Sequence, residues 1–517
     1  MPELEPLSIN RMPSLKSGDL RNSFPASRSC ILIPFCTLLV VFSTSRASDP
    51  NFDKWFYTYV NKIGPASLGI YVVDASNGQK LFGYNEGKLL KPASTAKIVT
   101  GALFLDKFGS NHYIKTPIYL FNQSENNKIA GGLAILGKGD ISLGARFYRW
   151  DYTKSISRLV NAIAETGVRQ INGPVILDDN FFKNSKYGTG WTWEDLKHYY
   201  GAPVSSLPND DNVIDIFIRP GRKIGDPCRI ECKPKPLGII FSNETITVAQ
   251  NQAEKINIHR GLDSTLVTIS GQLSINSKTK TEAVSVAYPA KWLGLRLKDA
   301  LKKKGIVITG DVEVFDNPDR PFIPKGRWEN VNSFTSHSSR SMLNKMMKRS
   351  QNLYAQSFLL QVGKLRKDHH NFYSTEEAGI KSLNDWCYSI GIPKKEVGLD
   401  EGSGLSRSSL ISARAMTKVL FHMISHPERK TFMESLPIAG IDGALRYRLR
   451  HESTKGLIKA KSGSIKHVRS LAGYIDRKDK RRIAFCILLN GFNESSHPYS
   501  GKRIVDEITL NIATRRF

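Results

Sequence analysis

A serine and a lysine three residues apart at the start of an apolar helix can form an acylating pair, and Ser94-Thr95-Ala96-Lys97 has that spacing. Helical geometry puts both side chains on one face, with Cβ atoms about 5–6 Å apart, so the amine can take the hydroxyl proton. A lysine acts as base only where burial or neighbouring cations lower its pKa, and the following IVTGALFL supplies apolar surroundings. The helix N-terminus adds a positive dipole and free N–H groups where an oxyanion would develop.

Two further triplets carry complementary groups. Ser350-Gln351-Asn352 lies in a helical, apolar-periodic region, and Lys461-Ser462-Gly463 precedes the strand-like SLAGYI. Together they offer a second hydroxyl, a carboxamide, an ammonium and a glycine that lets a substrate backbone approach. A peptide ending in a free carboxylate needs that set: nucleophile, proton relay, amide clamp and cation. Each pattern also recurs elsewhere, in Ser277–Lys280, Ser274–Asn276, Ser382–Asn384 and Lys16–Gly18. Ser277 sits in a polar, β-like stretch with no apolar helix behind it, and Lys16 belongs to the leader. Only Ser94, Ser350 and Lys461 fall in order on a helix start, a helical region and a strand edge.

The elements that must position these groups are readable. SLGIYVVDA and KLFGYN flank an Asn77-Gly78 turn and predict a hairpin over Ser67–Tyr84. The reactive serine opens a helix that closes at Gly109. From about Thr116 to Pro324 the chain turns to short β-like runs, with one clear helix over Ala290–Lys304 stopped by Gly305. Beyond Ser333 the helical signal is stronger, over SMLNKMMKRSQNLYAQSFLLQVG and again near Thr375–Ile390. Two strands (SLAGYIDR and RIAFCILLNGF) and a final amphipathic helix end the chain. The segments read as 1–47 leader, 48–115 and 322–517 as two parts of one domain, and 116–321 as a β-rich insertion of two nested subdomains.

The 517 residues are ordinary in composition, 40% hydrophobic and 23% charged, but carry a net charge of +27. Such a surface favours polyanions or is simply a solvated basic face. No zinc-finger spacing or RNA-binding aromatic signature accompanies it, which argues against nucleic acid. The 12-residue apolar run Ile31–Phe42, with Arg21 and Arg28 before it and Ser45-Arg46-Ala47 after it, describes a secretory signal, with a retained anchor as the competing reading, and predicts export. Of the 6 cysteines, Cys30 and Cys36 lie in that leader, and Cys387 and Cys486 read as core. Cys228 and Cys232 are close enough to bridge in an oxidising compartment. No metal-ligand set is apparent, and no cofactor is expected.

The ordered set S-T-A-K, S-Q-N and K-S-G resembles the active-site serine penicillin-recognising enzymes. The wider chain, from about Ser67 onward, resembles the class C low-molecular-mass penicillin-binding proteins, D-Ala-D-Ala carboxypeptidases and endopeptidases. The gap from Ser94 to Ser350, 256 residues, selects that branch, as do YGTGWTWEDLKHYYGAPVSSLPNDDN, ILDDNFF, DEGSGLSR and LPIAGIDGALRYRL. The resemblance implies an α+β, β-lactamase/transpeptidase-like domain split by the insertion, with peptidoglycan and β-lactams as partners. It makes Ser94 the nucleophile, Lys97 its base and Ser350 a proton relay. Asn352 would hold the peptide amide, and Lys461 and Ser462 the terminal carboxylate, beside Gly463. The N–H groups of Ser94 and Ser464 would form the oxyanion hole.

Departures are modest. Serine stands for the commoner threonine at 462, and Asp140-Ile141-Ser142-Leu143 replaces Asp-Pro-Thr-Leu. Asp178 matches an acidic position that contacts a side-chain amine of substrate in some relatives, or is a turn carboxylate. Arg407 is a substrate contact or an ion-pair partner. His198, His337 and His467 read as loop or surface residues, since nothing near Ser94 resembles a G-x-S-x-G elbow. The rival readings are a serine–lysine esterase, a β-lactamase, and an inactive peptidoglycan-binding scaffold. The basic surface also fits weak association with the anionic cell envelope.

Overall fold

The computed structural model describes residues 50–61, 63–122, 128–183 and 186–514; the expected secretory leader lies outside them. After α1 (Pro50–Asn61), β1 (Ser67–Asp74) and β2 (Lys80–Tyr84) form an antiparallel hairpin. Gly78 closes its turn with φ 76°, donating to Asp74 O at 2.8 Å. One 3₁₀ turn, Ala93–Thr95, then leads into α2 (Ala96–Phe108), which stops at Gly109.

Between Lys115 and Thr335 the chain builds separate sheets. The largest comprises β3 (Lys115–Phe121), β4 (Gly132–Leu136), β5 (Val175–Asp178), β6 (Val312–Phe315) and β7 (Trp328–Thr335), in the order β6-β5-β4-β3-β7. β4, β5 and β6 run parallel, and parallel neighbours need a crossover. α3 (Ser157–Ala164) lies between β4 and β5 in the chain, and α4 (Pro289–Lys303) between β5 and β6. Both helices bury Leu159, Ile163, Leu293 and Leu297 in the core of this sheet. β7, which a boundary at 322 assigns to the last segment, pairs antiparallel with β3 instead. Cross-strand pairing over 328–335, invisible in local pattern, keeps it with the inserted sheet.

Two three-stranded sheets, one holding Leu266–Ser274 at its centre and the other Val213–Arg219, share a core that includes Ile214, Ile216, Ile269 and Trp292. Cys228 and Cys232 are free thiols here rather than a bridge. Cys228 is buried, its Sγ 3.7 Å from Ile246 O, whereas Cys232 stands in a strand opposite Ile216.

The last segment contributes α5 (Ser339–Arg349), α6 (Asn352–Leu365), α7 (Thr375–Ser389) and α8 (Ala413–Ser425). β8 (Ile458–Ile465), β9 (Val468–Asp476), β10 (Arg482–Asn490) and α9 (Gly501–Thr514) follow. Their strands join the first hairpin in one antiparallel sheet of order β8-β9-β10-β1-β2. β10 explains the layering. Ile483, Phe485, Ile487 and Leu489 share a core with α1 and α9, while Ala484, Cys486 and Leu488 share another with α2 and α8. With both faces covered, the strand reads as an unbroken apolar run.

The helical stretch predicted across residues 341–363 is interrupted. Ser350 adopts the left-handed conformation (φ 61°, ψ 38°) and ends α5, and α6 begins at Asn352. The N–H of Gln351 still reaches Met346 O at 3.1 Å, so the break costs little backbone bonding. Side-chain periodicity continues across such a one-residue kink and conceals it.

Candidate active site

The segment that presents Ser94 is fastened to the sheet. Lys91 N donates to Asn490 Oδ1 (2.8 Å) and Asn490 Nδ2 returns a bond to Lys91 O (3.1 Å). Ser470 Oγ donates to Pro92 O at 2.6 Å. Gly463 on edge strand β8 passes against this turn so closely that a Cβ there would lie 2.9 Å from Ser94 N and 2.7 Å from Pro92 O. The glycine of the third triplet is therefore required by packing around the serine.

Lys97 is wholly buried, with its Nζ 3.0 Å from Ser94 Oγ. The same nitrogen donates to Asn352 Oδ1 at 2.6 Å and to Ser403 O at 2.7 Å. A neutral amine has two protons and one lone pair; the two carbonyl oxygens take the protons, which leaves the lone pair for the serine. Burial brings the Lys97 pKa down to about 7, partly opposed by the carboxylate of Glu401.

Ser350 faces the same space from the α5–α6 break. Its Oγ accepts from Lys461 Nζ at 2.8 Å, and that ammonium also donates to Ser462 O at 2.7 Å. Burial holds the Lys461 pKa well below the usual lysine value, with nearby Lys97 adding to the effect. Asn352 is oriented from its other end, donating Nδ2 to Tyr200 O at 2.8 Å.

Ser94, Ser350, Asn352, Ser462 and Ser464 line one cleft of about 700 Å³, and Lys97, Lys461 and Gly463 lie behind its wall. The three triplets thus meet. Asp178 does not line this cleft: its carboxylate accepts from Asn180 Nδ2 (2.8 Å) and holds the turn after β5. Arg407 lines the cleft and pairs with Asp195 at 2.9 Å. His198, read as a loop or surface residue, is half-buried in the cleft wall. His337 stacks on Phe147, and His467 occupies the exposed β8–β9 turn. The recurring patterns are elsewhere: Ser277 bonds Glu254, and Ser382 bonds back to Ala378 O within α7.

Several supporting residues escaped the sequence reading. Glu401 accepts from the N–H groups of Ser403 (2.7 Å) and Gly404 (2.5 Å), which shapes the loop whose Ser403 carbonyl meets Lys97. Gly404, at φ 80°, packs so that a Cβ would sit 1.9 Å from Ala93 O. Asp211 receives Gln351 Nε2 (2.5 Å) and Tyr354 OH (2.7 Å), and pairs with Arg146 at 2.9 Å. It stands in three consecutive left-handed residues, Asp210, Asp211 and Asn212. The stretches DEGSGLSR and NDDN carried a signal as blocks, but nothing in them told which atoms would face Lys97 or Gln351.

Among solved structures, the chain is similar to penicillin binding protein 4 (dacB) from Haemophilus influenzae. The TM-score is 0.74 at 23% identity, covering 89% of this chain and 99% of that one. The fold is therefore α+β and transpeptidase-like, as expected. In sequence it is 26% identical over 440 residues to a D-alanyl-D-alanine carboxypeptidase of Actinomadura sp., covering 82% of this chain and 78% of the relative. It is also 24% identical to D-alanyl-D-alanine carboxypeptidase DacB of Haemophilus influenzae, covering 85% and 88%. Residues 57–512 match a single family description along almost all of the described chain, and the protein belongs to the D-Ala-D-Ala carboxypeptidase 3 (S13) family.

Proposed function

We propose that this protein is a penicillin-binding serine D-Ala-D-Ala carboxypeptidase/endopeptidase that cleaves peptidoglycan stem peptides through an acyl-enzyme. The observation that carries this reading is the convergence on Ser94 of a buried amine whose two other bonds are already made. Lys97 takes the Ser94 proton as Oγ bonds to the carbonyl carbon of the penultimate D-alanine. The N–H groups of Ser94 and Ser464 are assigned to the developing oxyanion. The C–N bond then breaks. Ser350 passes a proton to the departing amine and is replenished by Lys461, 2.8 Å away. Water attacks the ester, its proton returns along the Ser350–Lys461 pair, and Lys97 gives its proton back to Ser94.

Asn352 is assigned to the peptide amide, and Lys461 with Ser462 to the terminal carboxylate. Gly463 is assigned to letting β8 pack against the Pro92–Ser94 turn that carries the nucleophile. Asp178 is assigned to the turn after β5 rather than to substrate, since its Oδ1 accepts from Asn180 and it does not line the cleft. The basic-flanked apolar run at Ile31–Phe42 supports export to the periplasm or cell envelope.

Labelling with a fluorescent penicillin tests the assignment. The wild type acquires one label that maps to the Ser94 peptide and releases D-alanine from a pentapeptide, and Ser94→Ala does neither. Equal labelling of the variant would overturn the nucleophile.

A further inference from the structure

Beside the catalytic cleft lies a larger groove, of about 960 Å³. Its walls come from the 150–161 stretch, the segment Lys233-Pro234-Lys235 and the last turns of α4. The two hollows adjoin. Arg349 lines the cleft, Trp150 lines the groove, and the guanidinium lies 5.6 Å from the centroid of the indole ring. Trp150 is 41% exposed and also packs against Arg146, 4.6 Å from the same centroid.

The groove is cationic. Six basic side chains line it against two carboxylates, Asp151 and Asp299. Arg296 is taken up by Asp210 at 2.7 Å and Lys233 pairs with Glu231 at 2.9 Å, but the lysines of the groove, Lys235 and Lys304 among them, are exposed to solvent. Lys154 and Lys303 remain 63% and 73% exposed even while paired with Asp151 and Asp299. Lysines at the end of α4 are expected from its dipole alone. That does not account for Lys235, which comes from a different segment and faces the same hollow.

We propose that this groove takes the acidic remainder of the polymeric substrate, a carboxylate-bearing peptidoglycan strand whose peptide terminus enters the cleft across Trp150. Continuity with the cleft favours an extended substrate over a separate ligand, and the charge fits its free carboxylates. The inference rests on the function proposed above. Exposed charges act mainly on association and are screened beyond a Debye length of about 10 Å at 0.1 M salt, so the effect falls on polymer capture and is salt-sensitive.

The test is Lys235→Glu/Lys304→Glu, assayed on a soluble pentapeptide and on isolated sacculi. D-Alanine release from the pentapeptide stays within about twofold of wild type, while sacculus digestion at low salt falls by roughly tenfold, within the range of electrostatic steering. Added salt slows the wild type on sacculi and hardly affects the variant. Unchanged sacculus digestion would overturn the proposal, as would equal loss on both substrates. So would wild-type digestion combined with loss of binding to duplex DNA, because the groove would then serve another polyanion. A wild-type protein inert toward the pentapeptide would instead remove the proposed activity.

Discussion

Lys461 Nζ stands 2.8 Å from Ser350 Oγ although the two residues are 111 positions apart. One comes from the edge strand of the main sheet and the other from a left-handed break between two helices. The second hydroxyl of the cleft is therefore held by an ammonium from the sheet, and the break is what lets it turn there.

Ser350→Gly and Ser350→Ala separate the hydroxyl from the backbone it sits on. Both variants lose about 10²–10⁴ in kcat if the hydroxyl transfers a proton. Serine and alanine both incur the ~1–2 kcal/mol that glycine escapes at φ 61°, so Ser350→Gly melts above Ser350→Ala. Near-normal turnover of Ser350→Gly would show that the hydroxyl is dispensable.

As the proposed base, Lys97 imposes a pH dependence. With the Lys97 pKa near 7, acylation by a β-lactam rises about tenfold per pH unit below 7 and levels above it. The same shift links to stability. Between about 7 and the ordinary value of 10.5 the unfolded chain holds the proton and the folded chain does not, so stability increases with pH across that window. Stopped-flow acylation from pH 5 to 9 checks the first statement; a flat profile contradicts it.

Gly463→Ala places a Cβ 2.2 Å from Ser470 Oγ and 2.9 Å from Ser94 N. Overpacking of this kind costs about 1–3 kcal/mol. The catalytic loss is larger than that suggests, because a shift of about 1 Å at the nucleophile lowers the rate by up to ~10². Thermal melts and penicillin acylation rates, measured together, distinguish this from simple unfolding.

Asp211→Ala takes the 2.9 Å partner from buried Arg146 and leaves Asp215 at the longer distance of 3.9 Å. Removing one member of a buried pair costs about 3–5 kcal/mol. Gln351→Met removes one bond from the same brace and leaves the Asp211–Arg146 pair intact. It lowers kcat through Ser350 and Asn352 with a smaller change in Tm. Equal melting points for the two variants would argue against the brace.

The three triplets were legible because their spacing is local. A Ser-x-x-Lys pair meets on one helix face whatever lies beyond, and the apolar run that buries Lys97 follows directly in the chain. β10 was legible for the same reason, as an unbroken apolar run between turn signals. The break at Ser350 was not. Its flanks keep helical periodicity, and the groups that fix it, Lys461 and Asp211, are far away in sequence.

The sequence alone therefore determined which side chains could react and in what order they appear, since helix and strand periods set spacing within an element. Only the tertiary structure decided that Ser403 and Asn352 occupy the protons of Lys97, that Asp178 turns to Asn180 outside the cleft, and that β7 pairs with β3. Those outcomes depend on contacts between distant segments. Hydrogen-bond direction and strand pairing are set there by packing, which spacing along the chain does not encode.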